Sequence, residues 1–229
     1  MTKIVEPVVR LLASTAVTSV VDDLLPRDPD ATDAEHLIEM AGRSCYQSFH
    51  RPNPATRRNA DYIERTIFEQ AHGSIAEHAT ATLLFTGVSR AFLAELTRHR
   101  HLSFSVLSQR FVNESETAVV MPPAIKKLDT KQRAAWLQDQ QSAVWAYVSM
   151  ADALRAEGEG LKQAREAARS LLPNAVETRM VVTGNLRAWL QTIERRTDPS
   201  ADAEMIQVMR MANDALVPVA PSIFARDKR

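Results

Sequence analysis

Between residues 79 and 86 the apolar period of the chain changes. Ala79, Ala81, Leu83 and Phe85 alternate with Thr80, Thr82, Leu84 and Thr86. This is the two-residue period of a strand with one buried face, and Gly87 is expected to break it. Helical spacing flanks the strand on both sides. Upstream, Tyr62, Ile63, Ile67 and Phe68 predict a helix. Downstream, SRAFLAELTRHR predicts another, with Ser89 as N-cap and Phe92, Leu93 and Leu96 as its buried stripe.

Nearer the N-terminus, Thr32 or Asp33 can cap a helix through AEHLIEMAGRSC, with Gly42 near its end. The segments Asp23 to Asp33 and Phe49 to Asn59 read as turn-rich loops. The first apolar run is interrupted by Glu6, Pro7 and Arg10, which suits a short strand better than a signal peptide. Further on, MPPAIKK reads as a loop. Lys131 to Arg155 reads as a long helix bearing Trp136, Val144, Tyr147 and Leu154, and Leu161 to Leu172 as a helix ended by Pro173. ETRMVVTG reads as a second strand stopped by Gly184. Asn185 caps a helix running through Arg196, and Asp202 to Leu216 form a last one. These elements predict an α+β fold, with a few strands in one sheet covered by helices. No segment marks a boundary, so residues 1–229 are expected to form one domain.

Composition narrows the function. The chain has 28 Lys+Arg and 28 Asp+Glu, so its net charge is zero, whereas a nucleic-acid coat protein would show a basic excess. Such balance does not oppose self-association. No uncharged apolar run is long enough for a membrane span. One cysteine, Cys45, rules out an internal disulfide framework and suits a reducing cytoplasm, the expected location.

The chemistry concentrates in RHRHLSFSVLSQR, Arg98 to Arg110. His99 and His101 are two residues apart, so on a helix they face different sides. Arg98 and Arg100 would repel a divalent cation. HGSIAEH (His72 to His78) fits neither H-E-x-x-H nor H-x-x-E-H. No metal site is therefore expected. RNA binding fits poorly with few aromatics and no net positive charge. A solvated helix end, with cations favoured by the dipole, is the plainest alternative. Against it stand Ser103, Ser105 and Ser108, which can donate to oxygens, and Arg110, which can hold a phosphate bidentately. The residues by themselves point to a phosphorylated small molecule.

Arg98-His99-Arg100, seven residues, then Ser108 resembles the RHR-x7-S signature of the flavin-dependent thymidylate synthases. GRSCYQS (Gly42 to Ser48), the HG…EH segment, SQRFV and ETRMVVTGNLRAW (Glu177 to Trp189) resemble actinobacterial members, in the right order along nearly the whole chain. The resemblance implies a homotetramer with active sites between subunits. It also implies FAD as cofactor, and C5 methylation of dUMP with methylenetetrahydrofolate as donor and NADPH as reductant. Ser74, Arg98, His99, Arg100, Val106, Asn185, Arg187 and Gln191 match flavin-contacting positions. Glu95, Leu96, Thr97 and Arg98, the run Val106, Leu107, Ser108, Gln109 and Arg110, and Arg169 and Arg196 match nucleotide positions. Ser108, Arg110 and Arg169 would take the phosphate. Arg196 would meet the base and stabilise charge at N3 and O4. It is the implied catalytic residue. Cys45 is not expected to act as a nucleophile, since reduced flavin carries the chemistry.

One position departs from the family pattern. Val106 stands where most members carry Glu or Gln. Some members of the family methylate UMP in nucleoside-antibiotic pathways. Loss of a polar side chain there leads us to expect acceptance of UMP beside dUMP, with discrimination below about 10²-fold. A module that binds nucleotide or RNA without turnover is the alternative of another class. Uptake of FAD separates the two.

Overall fold

A computed structural model describes residues 2–226. Its strands are β1 (Ile4–Val5), β2 (Val8–Ser14), β3 (Thr80–Ser89), β4 (Ser103–Val106), β5 (Val119–Val120) and β6 (Glu177–Asn185). Its helices are α1 (Ser19–Leu24), α2 (Asp33–Tyr46), α3 (Asn59–Ile63), α4 (Arg90–Leu96), α5 (Pro123–Lys126) and α6 (Thr130–Ala156), followed by α7 (Leu161–Ala168), α8 (Leu186–Arg196), α9 (Ala203–Leu216) and α10 (Pro221–Phe224). The main sheet is antiparallel, in the order β2-β3-β6-β4. The α+β expectation holds, with one amendment. β1 and β5 form a separate parallel pair instead of joining that sheet.

The alternation in β3 is the basis of the core. Ala81, Leu83 and Phe85 are buried beneath α4 and α8. The Phe85 ring lies 6.0 Å from Phe92 of α4 and 6.3 Å from Trp189 of α8. Trp189 is fully buried, and its indole N–H donates to Ala81 O at 3.1 Å. A buried indole needs such an acceptor, and this one fixes α8 over β3. Both helices start on side-chain caps. Ser89 Oγ accepts from Phe92 N at 3.0 Å, and Asn185 Oδ1 accepts from Ala188 N at 2.8 Å. α2 starts on a capping box between Thr32 and Glu35.

Several boundaries differ from the sequence reading. β3 does not stop at Gly87. It shifts register between Phe85 and Val88 and runs on to Ser89. Gly87 sits at φ +66°, and a Cβ there would lie 2.1 Å from Glu6 O. The glycine is required because β1–β2 backbone crosses at that point, a close approach served by the bulge. Gly87→Ala is therefore expected to destabilise the fold by at least about 1–3 kcal/mol, the cost of a strained backbone. Urea midpoints for the two proteins test this, and equal midpoints would contradict it. MPPAIKK is not a plain loop, because Pro122 and Pro123 start the short α5. α7 ends at Ala168, and Arg169–Leu171 tighten into a 3-10 turn before Pro173. Glu64–Glu69 extend α3 as a π-helical segment. On α6 only Val144 and Tyr147 are buried, and Trp145 is exposed. No helix among the described residues is long and apolar enough to cross a membrane.

Candidate functional site

α4 ends at Leu96, and the chain turns through residues 97–102 before entering edge strand β4. That turn faces α8. Arg98, His99, Arg100 and His101 line one side of a cleft of about 170 Å³. Ala188, Gln191, Thr192 and Arg195 line the other. The α8 residues recur at intervals of three and four, so one helix face meets the turn. Thr192 and Arg195 belong to no motif in the sequence. Their spacing from Ala188 and Gln191 is the signal that could have found them.

Arg196 lies on the adjacent side of α8. Its Nε donates to His99 Nε2 at 2.8 Å. Nη1 donates to Glu95 Oε2 at 3.1 Å, and Nη2 to Glu95 O at 3.0 Å. These contacts use three of the five guanidinium N–H donors. Glu95 Oε2 also receives Arg98 Nη1 at 3.3 Å. His99 Nδ1 faces Thr192 Oγ1 at 3.4 Å. Burial, and then the charges of Arg196, Arg195 and Arg98, hold the His99 pKa below its ordinary value against a smaller opposing effect of Glu95.

Arg187 occupies the first turn of α8 and pairs with Glu77 at 2.5 Å. It also lies against Gly73, where a Cβ would stand 3.4 Å from Arg187 Nε. Ser74 is in the same 3-10 turn, Gly73–Glu77, which packs on α8. Ser74, Asn185 and Arg187 thus gather around the start of α8, and Gln191 lies one turn further on.

The predicted phosphate residues lie elsewhere. β4 carries Ser103 and Ser105 exposed, with Phe104 and Val106 packed against the core. Beyond it, Ser108 O accepts Phe111 N and Val112 N at 3.2 and 2.9 Å, a tight turn that presents residues 107–110. Leu107 is half-buried, and Gln109 is buried. Arg110 faces Glu166 of α7 at 3.8 Å, and Arg165 Nη1 donates to Phe111 O at 2.7 Å. Arg169 follows at the end of α7. Arg90 of α4 is half-buried near it. Burial first, and then the Arg169 charge, lower the Arg90 pKa. The sequence reading passed over Arg90.

Apart from Ser74, Asn185 and Arg187 at the start of α8, and Val106 within β4, the predicted residues fall into two groups. Glu95, Leu96, Thr97, Arg98, His99, Arg100, Gln191 and Arg196 meet at one end of β4, although Leu96 is buried in the core. Leu107, Ser108, Gln109, Arg110 and Arg169 lie at the other. The four residues of β4 separate them by roughly 13 Å at 3.3 Å per residue.

A larger cavity, about 540 Å³, is a third place. Glu6, Glu114, Glu116 and Glu177 outnumber Lys3 and Arg179 in its wall. Burial raises the Glu114 pKa above the usual carboxylate value. An acidic wall suits a phosphate-bearing ligand badly, so volume does not mark the anion site here. Among the described residues no cluster of His, Cys, Asp and Glu could hold a metal. Cys45 is exposed on α2, and its Sγ is 3.5 Å from Ala41 O.

Comparison with known proteins agrees with the motif. Residues 29–222 match the family described as thymidylate synthase complementing protein. A flavin-dependent thymidylate synthase of Corynebacterium efficiens is 42% identical over 98% of this chain and 91% of its own. One from Mycobacteroides abscessus is 43% identical over 98% of this chain and 91% of its own. Among solved structures, thymidylate synthase X from Helicobacter pylori with FAD and dUMP superposes with a TM-score of 0.60. It is 22% identical and covers 92% of this chain and 93% of its own. That structure supports the fold.

Proposed function

Because this chain belongs to the flavin-dependent thymidylate synthase family, the enzymes that convert dUMP to dTMP, we propose that the cleft between residues 98–101 and α8 is where its flavin and nucleotide meet. The observation that carries this reading is the convergence of Arg98, His99, Arg100 and Gln191 on one cleft from two distant segments, with Arg196 held beside it through His99. Arg98 and Arg100 supply fixed cations, and Gln191 an amide, a donor set that fits the diphosphate and ring edge of FAD. The cleft is small against the roughly 300–1,000 Å³ of small-molecule sites. One copy of the chain then covers only part of the cofactor.

When bound, the flavin supplies the redox chemistry of methyl transfer, with NADPH as reductant and methylenetetrahydrofolate as one-carbon donor. The protein's part is position and field. Arg196, with two N–H donors beyond its Glu95 and His99 contacts, meets N3 and O4 of the pyrimidine. Its permanent charge stabilises negative charge there without reorganisation. Ser108, Arg110 and Arg169, joined by Arg90, take the phosphate. Since β4 holds this set away from Arg196, the two sets serve one nucleotide across a subunit boundary, in a homotetramer. One cysteine in 229 residues suits a reducing compartment, and we place the enzyme in the cytoplasm.

The test is direct. The purified protein is expected to be yellow, to bleach anaerobically with NADPH and to form dTMP from dUMP and methylenetetrahydrofolate. A colourless protein that takes up no FAD would favour a binding module instead. Cys45→Ala is expected to keep most activity, since Cys45 lies outside the cleft. Complete loss of turnover with FAD content intact would contradict this.

Val106 bears on substrate choice. Its half-buried side chain packs on the core and offers no hydrogen bond. We expect dUMP to be preferred over UMP by less than about 10²-fold in kcat/KM, and by more in Val106→Gln. A parental preference above about 10⁴-fold would refute the relaxed pocket.

A further inference from the structure

His99 belongs to the signature whose arginines and histidine are expected to touch flavin. In the structure both of its ring nitrogens already face α8. Arg196 Nε lies 2.8 Å from Nε2, and Thr192 Oγ1 lies 3.4 Å from Nδ1. A guanidinium only donates, so Nε2 accepts and the ring proton sits on Nδ1, directed at Thr192. An imidazolium has no acceptor. His99 can hold Arg196 in this way only while neutral.

The guanidinium needs this third contact. Glu95 receives Nη1 and Nη2 through one carboxylate oxygen and its own carbonyl. Two contacts at the Nη end leave the plane free to tilt about the line joining them. A contact at Nε stops that tilt. We infer that neutral His99 is a positioning residue which, together with Glu95, sets the plane of Arg196 against the pyrimidine base. This rests on the reading that Arg196 meets the base.

The surroundings keep His99 neutral. From α8, Arg195 and Arg196 face it, with the hydroxyl of Thr192. From α4 and the following turn come Glu95 and Arg98. Arg100 and His101 complete the cleft on the turn side. Burial and the charges of Arg196, Arg195 and Arg98 lower its pKa, which favours the neutral ring. Protonation, and loss of the Arg196 contact, belong to more acid solution. The enzyme should lose kcat/KM for dUMP on that acid side.

The experiment compares His99→Ala, His99→Gln and Arg196→Ala with the parent, measuring flavin content and kcat/KM for dUMP against pH. The Gln carbonyl can accept where Nε2 did, and it does not titrate. His99→Ala is expected to lose roughly 10–100-fold in kcat/KM, the size of one hydrogen bond to a charged group, with FAD retained. His99→Gln should recover most of that loss and lack the parent's acid limb. Parental kcat/KM in His99→Ala, or loss of FAD in both His99 variants, would overturn the inference. If Arg196→Ala were itself unimpaired, the reading of Arg196 would fail first. If Arg196→Ala were impaired and His99→Ala were not, only the inference about His99 would fail. Solid-state ¹⁵N NMR of the parent gives a check independent of turnover and of variant folding. The signal missing from His99→Gln, or from Arg196→Ala if that variant shifts it, should report the Nδ1–H tautomer. An Nε2–H tautomer would overturn the proposal.

Discussion

Arg196→Ala is expected to lower kcat for dTMP formation by roughly 10²-fold or more, the loss seen when one preorganised electrostatic contact is removed. FAD should remain bound, because Arg98, Arg100 and Gln191 are untouched. A residue that merely closed α8 would behave differently. Its removal would cost at most about 1 kcal/mol of helix-end stabilisation and leave turnover alone. The geometry differs from that of a simple helix-end cap. Arg196 is only 19% exposed and is anchored on Glu95 and His99 rather than on carbonyls of its own helix. Steady-state kinetics with a flavin absorbance spectrum decide the matter, and near-normal kcat would remove Arg196 from the mechanism.

Glu39→Gln should have the largest effect on stability. Glu39 is fully buried on α2 and gathers Arg43 Nε at 2.6 Å, Arg51 Nε at 2.9 Å and Asn59 Nδ2 at 2.9 Å. Arg43 also donates to Thr56 O at 2.6 Å, and its guanidinium lies 4.3 Å from the centre of the Tyr62 ring. This network ties α2, the loop after it and the start of α3 into one unit. Neutralising Glu39 leaves two guanidiniums without their anion. Removing one partner of a buried pair costs about 3–5 kcal/mol. That is roughly 6–20 °C in Tm for a chain of this length. Thermal denaturation measures it, and a Tm within a degree of the parent would contradict it. The pH dependence has a definite sign. Burial alone would raise the Glu39 pKa, but the hydrogen bonds from Arg51, Asn59 and Arg43 outweigh it and hold the pKa below the usual 4.5. The unfolded chain therefore binds the proton first. This contribution is fully present above about pH 4.5 and is lost as pH falls through the lower folded value. Glu39→Gln should lack that acid-side loss.

The period-two run of β3 and the apolar stripes of α4 and α8 were legible in the sequence because each buries one face against the same core. Caps at Thr32, Ser89 and Asn185 were legible for a local reason, since the side chain bonds the backbone three residues on. What escaped was set by distant partners. Gly87 read as a strand break because nothing local shows that Glu6 backbone crosses there. β1 and β5 were not foreseen as a separate pair, since a two-residue strand has no period. The RHR signature and Ser108 drew attention to one segment, residues 98–108. The sequence did not show that β4 would place them at opposite ends, nor that Arg90 would join Arg169. Arg187 and Arg196 are nine residues apart, which puts them on different sides of α8. Their partners, Glu77 for one and Glu95 with His99 for the other, come from segments far away in the chain.

The central claim is that the cleft between residues 98–101 and α8 joins flavin and pyrimidine, with Arg196 on the base. A crystal structure of this chain with FAD and dUMP tests it most directly. The expected result is the FAD diphosphate against Arg98 and Arg100, and the Arg196 guanidinium within about 3 Å of the pyrimidine O4 or N3, hydrogen-bond distance. The nucleotide phosphate should meet Ser108, Arg110 and Arg169 of a neighbouring copy. A pyrimidine bound away from Arg196, or FAD seated in the acidic cavity beside Glu114, would contradict the account.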